Sequence, residues 1–241
     1  MNILMILPVF STIITFIFAF AVLNRYRARR GTYLLLWGIG LVLYGLGTGS
    51  EVFLSFRYSE LVLKLWYLTG AMLTAAWLGQ GTIHLLVRRR GIAPTLTAIL
   101  FLASLLSIVL VFTAPSTAVV YDTAMPASVQ YKEILVRSGA ITALTIVLNI
   151  YGTLGLVGGA LYSAYLFWRK QVLFDRMIGN VLIAAGALMP AMAGSFVKAG
   201  LADWLYLSEL LGAALMYLGF LRATSGKPAA APKTAVQVSG D

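Results

Sequence analysis

The chain has no cysteine and a single histidine, His84. Without thiols there is no disulfide, no cysteine nucleophile and no thiolate metal centre. One imidazole cannot assemble a histidine-rich metal site, so only carboxylates could complete one, and a metallo-hydrolase with clustered histidines is excluded. Charge is scarce too: 11% of residues are charged, where a soluble domain carries roughly a quarter. The stretch Trp204 to Leu221 holds no lysine, which removes a retinal Schiff base. It also lacks the proline-tyrosine pattern expected of the animal receptor class. No cofactor and no resident metal are expected.

Apolar residues fill the place of the missing charge, at 60% of the chain. A bilayer core of about 30 Å takes about 20 apolar residues in a helix, and seven stretches meet that length: Ile3 to Leu23, Thr32 to Leu54, Leu61 to Val87, Ile92 to Thr113, Ser138 to Phe167, Met177 to Ala199 and Trp204 to Leu221. The expected fold is therefore all-α, a polytopic membrane protein of seven transmembrane helices over residues 1–222, with a disordered tail over 223–241. Pro94 falls in the first turn of the fourth stretch, where a missing N–H costs little. Pro190 lies mid-span in the sixth and should kink it.

The net charge of +10 does not point to nucleic acid, because the basic residues are not gathered on one soluble face. They sit in short runs between apolar stretches: four in RYRARR (25–30), three in RRR (88–90), three in WRKQVLFDR (168–176), then Arg222, Lys227 and Lys233. The opposite loops hold Arg57, Lys132, Arg137 and Lys198. By the positive-inside rule the N-terminus is outside and the C-terminus cytoplasmic, in a multi-pass protein of a bacterial inner membrane. The Ala19-Phe20-Ala21 sequence has the form of a signal-peptidase site. However, the basic run follows the first apolar stretch instead of preceding it, so retention as an uncleaved helix is expected.

Ionisable and amide groups within the spans are the candidates for function, because burying them in lipid is costly. Glu51, Lys64 and Glu209 come from three different helices at similar depth near the outer end, so a paired cluster facing the bundle interior is expected. In one reading it is an outward-opening pocket for a small ligand, lined also by Trp66, Tyr67, Asn149 and Tyr151. In the other, Lys64 and Glu209 form a structural ion pair between the third and seventh spans. A second polar set, Gln80, His84 and Asn180, lies toward the cytoplasm. There His84 stands one turn from Arg88 as a helix-end anchor or a partner of Gln80. The pairs Gly45/Gly49 and Gly155/Gly159, with Gly158, have helix-contact spacing and are assigned to packing within the chain. Gly79-Gln80-Gly81 lies within a span, not after a strand, which rules it out as a phosphate loop.

The longest connection, residues 113–138, either covers a cavity or is a tether, and its Tyr131 to Arg137 run is expected to extend the fifth span. At an offset of 145, SAYLFWRK (163–170) overlies FAFAVLNR (18–25) and Gly194-Ser195 overlies Gly49-Ser50. Such an echo is compatible with a parallel three-helix repeat as in small transporters.

The basic first loop, the third stretch LVLKLWYLTGAMLTAAWLG (61–79) and the proline-containing sixth, FDRMIGNVLIAAGALMP (174–190), together resemble the seven-helix input region found ahead of some bacterial histidine kinases. The resemblance covers about residues 1–222, without the kinase portion. It implies a sensor-like scaffold and no residue role. The expectation is a non-catalytic sensor-like or accessory membrane component that binds a small ligand from the outer side. A small solute transporter and an intramembrane enzyme are the alternatives. The expected partners are the lipid bilayer, a small molecule and another membrane protein.

Overall fold

A computed structural model describes residues 3–169, 174–198 and 203–225; the described residues are 86% helical, with no strand among them. Their helices are, in order, α1 (Ile3–Arg29), α2 (Thr32–Leu54), α3 (Glu60–Leu86), α4 (Ile92–Thr113), α5 (Ala127–Ile134), α6 (Gly139–Arg169), α7 (Phe174–Lys198) and α8 (Asp203–Ser225). Six of them, α1, α2, α3, α4, α6 and α8, are long and apolar enough to cross a membrane. The helix between the last two of these, α7, has 25 residues and runs unbroken past Pro190.

Two helices run at least a full turn past their expected ends. The first continues past Leu23 to Arg29, because Ala28 and the arginines are good helix formers whose long stems can lie along the helix. It stops where Arg30 takes a left-handed φ of 53° and its N–H returns to the Tyr26 carbonyl at 2.7 Å. The last continues past Leu221 to Ser225, with the Thr224 hydroxyl donating back to the Phe220 carbonyl at 2.8 Å. The tail expected to be disordered lies, from residue 226 on, outside the described residues. Gly91, at φ 91°, turns the chain into α4, a left-handed conformation that L side chains rarely adopt.

The third and sixth helices each contain a π-helical turn, Tyr67–Leu73 and Leu154–Gly158. A π turn displaces carbonyls from the regular ladder, and side chains answer those of the first. Thr74 Oγ1 donates to the Thr69 carbonyl at 2.7 Å, and Asn149 Nδ2 on α6 donates to the Ala71 carbonyl at 2.8 Å. Just beyond, α3 and α6 touch backbone to backbone: a Cβ on Gly152 would lie 2.2 Å from the Ala75 carbonyl carbon, and one on Gly79 would lie 2.6 Å from the Gly152 oxygen. The other small residues also pack within the chain, Gly45 on Phe16, Gly49 on Thr12, Gly155 on Gly79 and Gly159 on Thr82, while Gly158 meets nothing within 4 Å. Gly79-Gln80-Gly81 is helical, with Gly81 seated on Trp37.

The most buried of the six apolar helices is α3 and the least buried is α4. The latter reaches the bundle through Leu100, Ser104, Ser107 and Val111, a narrow stripe at helical spacing. Residues such as Phe101, Leu102, Leu105 and Val109 are left exposed. Close glycine contacts also join α7 to α8: Gly179 meets the Gly219 carbonyl and Gly186 the Gly212 carbonyl, at 2.6 and 2.7 Å from the Cβ each would carry.

The long connection departs from expectation. Tyr131 to Arg137 does not extend α6. Residues 127–134 form the separate helix α5, and Leu135 then turns extended and pairs with Ser116. The Thr117 N–H to Ile134 carbonyl bond (2.8 Å) and the Val136 N–H to Pro115 carbonyl bond (3.0 Å) hold this return. The Gln130 side chain accepts from the Asp122 N–H at 2.9 Å and donates to the Asp122 and Met125 carbonyls at 2.8 and 2.9 Å. With Ala127, Ile134 and Leu135 buried, the segment is a packed cap on that end of the bundle. An offset of 145 equates α3 with α8, yet only α3 has a π turn. Gly194 and Ser195 fall where the side chains of α7 lie outside the described residues.

Candidate functional site

Three helices build the polar centre at the α5 end. Glu51 lies in the last turn of α2 and is 3% exposed. Glu209 lies in the first half of α8, and its carboxyl group faces that of Glu51. Trp66, on α3, stands beside the Glu51 carboxyl. Neither oxygen of Glu51, nor Oε2 of Glu209, has a hydrogen-bond partner among the described residues, and all three are shut off from solvent. Buried polar groups are nearly always partnered, and buried carboxyls in contact are rarer still.

Hydroxyl groups are gathered at the same end of the bundle. The Tyr44 hydroxyl donates to the Glu209 backbone carbonyl at 2.9 Å, and Ser11 of α1 lies against that hydroxyl. Ser11 Oγ and Thr15 Oγ1, one turn apart, are fully buried and unpartnered among the described residues. Tyr206 is buried within electrostatic reach of both carboxyls, and Tyr121 of the capping segment within reach of Glu51. Burial, with Glu51 nearby, pushes the Tyr121 hydroxyl well above its ordinary value. Tyr121 stacks on Tyr58 at 5.1 Å.

Lys64 is not part of this centre, which corrects the expected cluster. Its ammonium pairs with Glu60 on its own helix at 2.7 Å and donates to the Phe112 carbonyl of α4 at 3.4 Å. The reason is reach: Glu60 is one turn away on the same face, where an i,i+4 pair forms without crossing the bundle. No ion pair joins the third helix to the last among the described residues.

The remaining pocket candidates disperse. Tyr67, 1% exposed, bonds Thr145 at 2.9 Å and packs with Tyr131 under α5, and Trp66 packs on Tyr131 edge to face. Asn149 is occupied by the π turn and by the Thr145 carbonyl at 2.9 Å. Tyr151 donates to Gln80 Oε1 and so belongs to the second polar set. In that set Gln80, 0% exposed, donates to the Ala93 carbonyl at 2.9 Å and to Thr97 Oγ1 at 2.7 Å, which His84 Nε2 also contacts at 2.7 Å. The network clamps α3, α4 and α6 together with every Gln80 atom in use. Asn180 is half-buried on α7, and its side chain makes no hydrogen bond among the described residues. An apolar cleft lined by Phe18, Trp37, Leu78, Leu156 and Met216 presents no polar surface for chemistry.

Sequence reasoning missed Glu60 as the partner of Lys64, although the spacing of four was visible. It also missed Ser11 and Tyr44. Their signals were the four-residue step from Ser11 to Thr15 and the seven-residue step from Tyr44 to Glu51, each of which puts two polar groups on one helix face. No family model matches the sequence, and no curated protein matches it.

Proposed function

We propose that this chain is a seven-span protein of a bacterial cell membrane, N-terminus outside and C-terminus cytoplasmic, acting as a non-catalytic sensor-like or accessory component. It binds a small ligand from the outer side at the Glu51–Glu209 pair. The pair carries the reading: two carboxyls of different helices meet in the interior of an apolar bundle, and among the described residues no basic side chain pairs with either. An arrangement so costly in lipid marks a functional position by default. The length of α7 and its glycine contacts with α8 support a seventh span, and the basic runs at the far end support the orientation. The resemblance to the input region of bacterial histidine kinases supports sensing.

The test is a thermal-shift screen of small molecules on the purified chain in nanodiscs, together with a flux assay in proteoliposomes. Expected are ligands that stabilise the wild type, lose their effect in the Glu51→Gln, Glu209→Gln double variant, and are recovered unaltered outside the vesicles. Accumulation inside the vesicles would turn the reading to transport, and chemical alteration of the ligand would turn it to catalysis.

A further inference from the structure

We propose that Glu51 and Glu209 form a binding site for a hard metal cation. This rests on the reading of the pair as the ligand site and names the class of ligand. Two carboxyls in contact inside a low-dielectric bundle cannot both stand ionised and uncompensated, so the pair holds either a proton or a cation. Lys64, the nearest candidate by depth, is held by Glu60 and the Phe112 carbonyl.

The atoms on offer select the chemistry. Three buried carboxylate oxygens are without partners, Oε1 and Oε2 of Glu51 and Oε2 of Glu209, and the same end holds the fully buried, unpartnered Ser11 Oγ against the Tyr44 hydroxyl. All are oxygens, the donors that hard cations take. A proton shared by the acids would bridge one oxygen of each, with the Trp66 side chain beside Glu51 facing the other, whereas a cation would be coordinated by both Glu51 oxygens and by Glu209, and titration with the ions separates the two. Charge balance separates the two kinds of hard cation. Starting from a pair that holds one proton, a divalent ion displaces it and leaves a neutral site, with one proton released. A monovalent ion adds to the same pair, gives the same neutral site and releases none.

Trp66 supplies the readout, because it stands beside the Glu51 carboxyl. The full chain in nanodiscs, in a choline-based medium, is titrated separately with Na⁺ and Ca²⁺, following tryptophan fluorescence, heat and proton release. Expected is a saturable response to at least one ion. It should be weakened at least about tenfold in Glu51→Gln and in Glu209→Gln, and unchanged in Glu60→Gln. Trp66→Phe should remove the fluorescence change and keep the heat. Where a Gln variant does not fold, Glu51→Asp and Glu209→Asp serve, with a shifted affinity expected.

A response to neither ion, or one that survives both substitutions, overturns the inference. If organic ligands bind at the pair while both ions are silent, the cation inference fails and the sensor reading stands. If an ion binds and also crosses proteoliposomes, the inference stands and the sensor reading fails.

Discussion

Gly152 of α6 lies so close to Ala75 of α3 that a Cβ on the glycine would sit 2.2 Å from the Ala75 carbonyl carbon. The neighbour is main chain and has no rotamer to yield. Gly152→Ala should therefore force the helices apart and cost about 1–3 kcal/mol, as overpacking does. Gly158→Ala, one helix face away with nothing within 4 Å, should stay within about 0.5 kcal/mol of wild type. Unfolding of the two variants in mixed micelles separates these outcomes; equal stability would contradict the contact.

Lys64 makes its ion pair with Glu60, whose side chain is 51% exposed. A double-mutant cycle on Glu60 and Lys64 should return a coupling of about 0.3–0.5 kcal/mol. The corresponding cycle on Lys64 and Glu209 should return none within error. A larger coupling in the second cycle would restore the cross-bundle pair.

Gln80 uses its whole amide, accepting from Tyr151 and donating to Thr97 and Ala93. Gln80→Leu leaves the half-buried Tyr151 hydroxyl without its acceptor and should cost about 1–3 kcal/mol. His84→Ala, at a half-buried position whose partner Thr97 also donates to the Ala93 carbonyl, should cost less. Comparing the thermal midpoints of the two variants ranks them.

The capping segment should respond to alkali. Burial raises Tyr121, Tyr131 and Tyr58 above the ordinary tyrosine value, with Glu51 adding to the first and Glu60 to the third, and with Arg137 partly offsetting the second. The folded state then keeps phenolic protons that the unfolded state loses near pH 10. This stability is present below about pH 10 and falls as pH rises further. Ultraviolet titration should show late-ionising tyrosines, one fewer in Tyr121→Phe. Tyrosines that all ionise at the ordinary value would contradict the packing of the cap.

The absence of cysteine makes topology directly measurable. Single substitutions Asp122→Cys and Arg89→Cys introduce the chain's only thiol in turn. An impermeant maleimide applied outside intact cells should label the first and leave the second. Labelling of both, or the reverse order, would overturn the orientation.

The helices were legible because apolar length is a one-dimensional property. Thr32–Leu54 and Ile92–Thr113 can be read from the sequence to the residue. The ends of α1 and α8 were missed because a helix need not stop where its apolar residues do. Neither π turn was legible, since each depends on partners such as Asn149 that come from another helix. Of the polar candidates, Glu51 and Glu209 could be read as close in depth, but depth says nothing of the angle around each helix axis. That angle brought the two acids together and turned Lys64 toward Glu60. The hydroxyl groups of Ser11 and Tyr44 escaped notice because serine and tyrosine are unremarkable in a membrane helix until their burial is known.

The glycine contacts between α7 and α8 fall at Gly179 with Gly219 and at Gly186 with Gly212, seven residues apart on each helix. Sliding one helix past the other by a single turn would drive side chains into both gaps at once, with no intermediate position that relieves only one. The last two helices are thus keyed to one register like two teeth in matching notches. Whatever moves in this bundle, these two helices move as one piece.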